Sequence, residues 1–144
     1  MQRLTTNLLL PDSNSVTVAE VSTYTEPSQT YNLEYDKDSQ IRGYCDELKA
    51  MRQAVYKTLN TERYKYIIYS WDYGIELEDL FGQPIPYVYA ELQRRIEEAL
   101  LNDDRITNVH DFDFSNNGGD VLAVFQVDTI YGTIKASKEV QGIV

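Results

Sequence analysis

The stretch Glu91 to Val109, ELQRRIEEALLNDDRITNV, reads as an amphipathic helix, a short acidic corner and a departing strand. Apolar residues at Val88, Leu92, Ile96, Ala99 and Leu100 recur at steps of three and four, which lines one helical face. Glu91, Arg94, Arg95, Glu97 and Glu98 fill the other face. Glu91 precedes Arg95 by four residues, the favourable order for a helical ion pair, worth only about 0.2–0.5 kcal/mol. The corner is Asn102-Asp103-Asp104-Arg105-Ile106. Carboxylates at a helix C-terminus oppose the backbone dipole by about 0.3–1 kcal/mol each. Arg105 can satisfy both carboxylates and the last carbonyls. Two readings stay open: a self-neutralising helix end, or a corner presenting Asp103, Asp104 and Arg105 to a partner.

A chain of 144 residues is one domain with room for a core. Its formal net charge of −10 repels phosphate backbones and anionic membranes, so neither nucleic acid nor membrane is an expected partner. The same charge also serves plain solubility. The single Cys45 allows no intramolecular disulfide and fits synthesis in a reducing compartment. One Cys and one His, His110, cannot make a Cys/His zinc site. Leu8-Leu9-Leu10, ended by Pro11, is too short for a signal peptide or a membrane span. The twelve tyrosines suit interfaces, and equally suit a core.

In chain order, residues 1–30 read as an extended arm, with at most one short strand around Val16, Val18 and Val21. Residues 31–144 read as a single α+β domain. Tyr31 to Asp36 alternates like a half-buried strand. Asp38-Ser39 offers helix-start chemistry, and Ile41, Tyr44, Cys45, Leu48, Met51, Val55 and Leu59 predict a helix from Ile41 to Leu59, with Cys45 a buried, inert thiol. Tyr64 to Tyr69 is strand-like. Gly74, after Trp71-Asp72-Tyr73, permits a turn or close backbone approach. Ile75, Leu77, Leu80 and Phe81 predict a short helical turn on the core, and Pro86 suits the first turn of the next helix. Ile106 to Phe114 predicts a strand with His110, Phe112 and Phe114 on one face. Asn116-Asn117-Gly118-Gly119 predicts a hairpin. Asp120 to Asp128 predicts a central strand covered on both faces, and Thr133 to Val140 a polar edge strand. The expected architecture is an N-terminal arm, two main helices and a C-terminal antiparallel sheet.

Asp111-x-Asp113-x-Ser115 looks like half a calcium loop, but Asn116 and Leu122 stand where the loop needs Gly and Glu, so no metal is expected. Glu97, Glu98, Asp103 and Asp104 could pair for glycoside hydrolysis, yet nothing marks a sugar cleft and no catalytic residue is assigned. There is no phosphate loop and no nucleophile elbow.

A family pattern runs through Pro27-Ser28-x-Thr30-Tyr31, Asp46-x-Leu48-x-Ala50-x-x-Gln53-Ala54, Leu59-x-Thr61-Glu62-Arg63-Tyr64, Tyr69-Ser70-Trp71-Asp72-Tyr73-Gly74-Ile75-Glu76-Leu77, Asp104-Arg105-Ile106 and Val109. From Pro27 to Val140 the chain resembles the XkdS-like proteins of contractile phage tails and phage-tail-like bacteriocins. These lie within the T4-type baseplate wedge group, often labelled lysozyme-like. In that group the corner is usually Glu-Pro-Arg-Ile. Here Asp103 stands for the Glu and Asp104 replaces the Pro, while Arg105 and Ile106 match, so the acid and the arginine carry over and the rigidity of the Pro does not.

The resemblance implies a structural baseplate component without cofactor, in a sixfold-symmetric virion or tail-like particle made in the bacterial host cytoplasm. It implies that Asp103, Asp104, Arg105 and Ile106 dock on the core bundle of a large, J-like wedge protein. Trp71, Tyr73 and Gly74 would be a partner-binding or structural signature. The C-terminal sheet, which looks like the inner domain of the sheath protein, would link to the first sheath ring by strand exchange. Tube- or hub-proximal baseplate proteins are further candidate partners. The alternatives are a peptidoglycan-degrading baseplate enzyme and a soluble adaptor outside any tail.

Overall fold

The computed structural model describes residues 27–34 and 40–143. The expected arm strand around Val16 to Val21, and Asp38-Ser39, lie outside the described residues. The described chain opens with an antiparallel pair, β1 (Thr30–Glu34) and β2 (Gln40–Cys45), followed by helix α1 (Glu47–Leu59). The expected helix from Ile41 therefore starts six residues late, because the chain stays extended until a cap arrives. Gly43 takes a left-handed φ of +66°, and Tyr31 stacks on Tyr44 across the pair at 5.1 Å. Asp46 then supplies the cap: its carboxylate accepts the Glu47 N–H at 2.7 Å, and the Ser28 hydroxyl donates to it. Cys45 is buried as expected, but in a strand, with its thiol near the Tyr31 carbonyl and Gln53 Oε1. Where β1 shifts register between Tyr31 and Leu33, buried Gln53 accepts from Leu33 N–H at 2.8 Å and donates to Tyr31 C=O at 2.7 Å.

After α1 the chain makes a loop whose ends meet. Arg63 N–H donates to Ile75 C=O at 3.1 Å, and Ile75 N–H to Thr61 C=O at 2.9 Å. Between them Tyr64 to Tyr69 forms turns, not the expected strand. Tyr64 sits at φ +67°, Tyr69 N–H turns back to Tyr66 C=O, and among the described residues the stretch pairs with no strand. Ile75, Leu77 and Leu80 are buried, the last in a single 3-10 turn (Glu78–Leu80), while Phe81 is exposed. Helix α2 (Ile85–Leu101) follows, with Pro86 in its first turn as expected.

The C-terminal sheet is antiparallel with order β3-β4-β5: β3 (Ile106–Asn117), β4 (Asp120–Thr129) and β5 (Gly132–Val140). Asn117 pairs with Asp120, which leaves Gly118-Gly119 as the hairpin loop, with Gly118 at φ +61°. Val121, Ala123, Phe125 and Val127 of β4 meet Val88, Leu92, Ile96, Ala99 and Leu100 of α2 and Met51, Val55 and Leu59 of α1 in one core. Both helices thus cover the same side. Leu122 on the other side is 37% exposed, so β4 is central but covered on one face only. His110 also leaves the face assigned to it. Asp111 at φ +56° makes a bulge between His110 and Asp113. The register then sets His110 opposite Gln126 and Phe114 opposite Ala123, which are opposite faces of β4. Phe112 stacks on core Phe125 at 5.1 Å, whereas His110 bonds Asp128 at 2.8 Å.

Arg95 departs from the solvated face of α2 expected of it. Its side chain is 10% exposed, not solvated: NH2 donates to Asp79 at 2.8 Å, NH1 to Glu76 C=O at 2.8 Å, and Nε to Glu91 at 3.2 Å. Arg94 beside it bridges Glu91 and Glu98 with its side chain 57% exposed. Replacing Arg95 with Ala is expected to cost about 2 kcal/mol in urea denaturation, because the Glu76 carbonyl and the packed stem are lost together. Arg94→Ala is expected to stay within about 0.5 kcal/mol.

Asp128 raises the His110 pKa, first through their hydrogen bond, and Asp111 adds to it. A raised folded pKa gives stability that is complete below the unfolded value of about 6.5 and is lost as pH rises through the folded value. The urea midpoint of wild type should therefore exceed that of His110→Gln at about pH 5.5, and the gap should shrink toward about pH 8.5. A gap that widens with pH would refute this.

Candidate functional site

The corner begins where α2 runs out. Asn102 keeps a right-handed conformation, and Asp103 N–H still reaches Leu100 C=O at 3.1 Å. The Asp103 carboxylate then turns on the chain that follows it. One oxygen accepts the Arg105 N–H at 3.0 Å and Arg105 Nε at 2.8 Å, and the other accepts Arg105 NH2 at 2.6 Å. This is a side-chain turn closed by a two-pronged guanidinium contact. Burial pushes the Asp103 carboxyl up, but the Arg105 hydrogen bonds and charge outweigh it and hold the pKa below its ordinary value. Ile106 is buried in the core and Arg105 C=O accepts Ile130 N–H at 3.0 Å, so both sides of the corner are anchored. Asp104 alone of the acidic pair is exposed. Of the two sequence readings, the geometry contains the self-neutralising one.

The Trp71-to-Gly74 stretch meets this corner. Asn102 Nδ2 donates to Asp72 C=O at 3.1 Å, and Tyr73, Asp103 and Arg105 line one cleft with Thr58 of α1. Tyr73 stacks on Tyr69 at 4.5 Å, and burial raises its phenol pKa. Gly74 sits at φ +93°, where a Cβ would stand 2.5 Å from Thr61 O. Asp72 and Tyr73 thus line one cleft with Asp103, Asp104 and Arg105, while Gly74 and Ile106 are buried.

Arg63 stands in the family pattern quoted from the sequence, which gave it no role of its own. It pins the loop to α2: NH1 binds Glu98 at 2.9 Å and NH2 binds Gly74 C=O at 3.2 Å. The same contact works against Glu98 as a candidate acid. The Arg63 hydrogen bond holds its carboxyl below the ordinary value, as Arg105 does for Asp103, whereas a glycosidase acid needs a raised one. Glu97 accepts from Gln93 at 2.9 Å on the helix surface. Among the described residues, no group of three or more His, Cys, Asp or Glu could hold a metal ion. No helix of the described residues is long and apolar enough to cross a membrane.

Beyond the pinned ends the loop is exposed: Tyr66 50%, Ile67 102%, Ile68 86% and Trp71 76%. The sequence signal for this was available in the aromatic run, but its strand-like alternation pointed elsewhere.

Comparison with known proteins decides the family. Residues 22–132 match the model of the contractile injection system sheath initiator. The chain belongs to that family. It is also 37% identical over 130 residues to the phage-like element PBSX protein XkdS of Bacillus subtilis (strain 168), covering 88% of this chain and 92% of that protein. The XkdS-like resemblance therefore holds, and the chain's role is structural and associated with the sheath of a contractile tail.

Gly74→Ala is expected to destabilise this sheath initiator by about 3 kcal/mol, since both the left-handed φ and the Thr61 contact must give. Gly82, at φ +81° with open space around it, isolates the conformational part, and Gly82→Ala should cost about 1–2 kcal/mol by the same denaturation measurement.

Proposed function

We propose that this sheath initiator is the baseplate subunit that carries the first sheath ring, docked on the wedge core by the Asp103–Arg105 corner. The observation that carries the sheath half of the reading is the difference between the two edges of the sheet. β3 is shifted out of register twice, between Ile106 and Asn108 and between His110 and Asp113. β5 pairs with β4 without interruption from Gly132 to Val140, and among the described residues nothing pairs with its other side. Bulges spoil an edge for further pairing, while a regular edge accepts a strand through main-chain hydrogen bonds alone. A strand from the sheath protein added at β5 would extend this sheet and tether the ring.

The wedge half rests on the corner and the loop beside it. Arg105 is already oriented by Asp103, so it meets a partner without losing further side-chain freedom. Exposed Asp104 lines the same cleft, and exposed Trp71 precedes Asp72, whose C=O is bound by Asn102 of the corner. Such a surface suits the polar and apolar faces of a helical bundle, here that of a J-like wedge protein. Rearrangement of the wedge would then reach the sheath through one rigid domain, from corner to β5. Placement in the baseplate of a virion or tail-like particle follows from the same reading.

Co-expression with the neighbouring J-like wedge protein tests it. Wild type should co-elute, and Arg105→Ala and Trp71→Ala should each weaken capture at least about tenfold, which is 1.4 kcal/mol. Circular dichroism must show both variants folded. Capture of both folded variants at wild-type strength would sink the docking role of the corner, leaving Arg105 a helix-end clamp.

A further inference from the structure

The β5 edge has a wall beside it that limits what can pair there. Helix α1 runs in the same direction as β5: Leu48 packs near Gly132, and Asn60 Oδ1 accepts from Lys138 Nζ at 3.2 Å. Leu48 to Asn60 rises about 18 Å as helix and Gly132 to Lys138 about 20 Å as strand, so the two keep pace along the edge. Arg52, Tyr56 and Asn60 form an exposed stripe of α1 that lines the gap facing Ile134 to Ser137 of β5. Val55, Leu59 and Ile134 are buried beneath it.

This wall decides the shape of a partner. A strand added to β5 lies about 4.8 Å away, whereas packed helices stand about 8–10 Å apart. A folded sheet that brings its own helix on the same face therefore collides with α1. A second copy of this chain does so, because antiparallel pairing of two β5 strands on a two-fold axis puts both α1 helices on one side of the joined sheet. The segment that fits is extended and carries no helix over it, as a tail or linker does.

Charge decides its composition. β5 carries Lys135 and Lys138 against a single Glu139, and Arg52 lines the same gap. Register sets Lys135 opposite Gln126 on the outer face and Lys138 opposite Ala123 on the helix face, so cations stand on both faces of the edge. Among the described residues none of these three cations bonds a carboxylate, whereas Arg63, Arg94, Arg95 and Arg105 each do, in a chain of net charge −10. Lys138 is half-buried, and burial outweighs the pull of Glu62 and pushes its ammonium pKa down. A carboxylate brought beside it offsets that cost.

We propose that the gap between α1 and β5 selects an extended, uncovered segment of the sheath protein that carries carboxylates toward Arg52, Lys135 and Lys138. Its apolar side chains on the helix face cover Tyr56 and Ile134. The assignment to the sheath rests on the strand-exchange reading above, while the shape and charge of the segment rest on the gap itself. An edge that rejects a second copy stays open for its partner.

Short synthetic peptides in which Val alternates with Thr and Glu, or with Thr and Lys, test the selection on the full chain. The Glu peptide should bind at least about tenfold more tightly and slow the exchange of β5 amides. Arg52→Glu combined with Lys135→Glu should remove that preference. Lys49→Glu combined with Lys57→Glu makes the same charge change on exposed positions of α1 outside the gap, and should leave the preference within about twofold of wild type. Equal affinity of wild type for the two peptides, which no folding defect of a variant can cause, would overturn the proposal, as would an equal effect of the two double reversals. Sedimentation of the chain alone should show a monomer; a dimer with protected β5 amides would overturn the rejection of a second copy. Purified sheath protein separates this selection from the reading it rests on. Protection of β5 by the Glu peptide but not by sheath protein would sink the strand exchange and leave the selection standing. Protection by sheath protein without any preference between the peptides would do the reverse.

Discussion

The structure depends on one burial: the apolar stripe of α2 against the inner face of β4. Val88, Leu92 and Ile96 are fully buried on the helix, as are Val121, Ala123, Phe125 and Val127 on the strand. Each large aliphatic or aromatic side chain so buried contributes about 1.5–3 kcal/mol relative to exposure, as an upper figure. No polar contact among the described residues approaches that sum. Helix α1 then closes the same layer with Met51, Val55 and Leu59, and Ile75, Leu77 and Leu80 seal its end. Even the last described residues serve it: Ile143 is buried, its N–H donates to Gly119 C=O and its C=O accepts from Gly82 N–H.

Around this core, arginines do the fastening. Arg63 ties the exposed loop to Glu98, Arg95 ties the 3-10 turn through Asp79 and Glu76, and Arg105 ties the corner through Asp103. Each sits where irregular backbone must be held against α2 or its end, and each guanidinium can satisfy several acceptors from one position. The arrangement gives geometry more than stability, because the partner carboxylates remain partly in water. It explains how a loop with an exposed Ile67, Ile68 and Trp71 tip can be held in place without a core of its own. It also explains why none of the acidic residues bound this way has the raised pKa of a general acid.

The two edges of the sheet divide its labour. The bulged β3 edge, locked by His110 between Asp111 and Asp128, is unsuited to pairing. The β5 edge is straight, walled by α1 and lined by cations. On the proposed reading this asymmetry would give an incoming strand one side to choose, and the Asp103–Arg105 corner, proposed to face the wedge, stands at the start of β3 beside Ile106.

Periodicity by itself determined much of this protein. The stripe on α2, the Gly118-Gly119 hairpin, the central and edge positions of β4 and β5, and the α+β class all follow from spacing and turn chemistry that act within a few residues. So did the need for glycine at position 74, although only the Thr61 oxygen says why. Tertiary contacts decided the rest. Ile41 to Cys45 carries helical spacing but becomes a strand, because Tyr44 stacks on Tyr31 and the cap lies at Asp46. Tyr64 to Tyr69 alternates like a strand but finds no strand partner among the described residues, because Arg63 and Ile75 close the loop first. His110 changes face because one bulge residue intervenes, and Arg95 is buried because Asp79 and Glu76 arrive from a distant turn. The corner was legible as Asp and Arg, but which oxygen each nitrogen takes was not. Local pattern records the preference of a segment for a backbone shape, while the partner that overrides or satisfies it is set by which elements share the core.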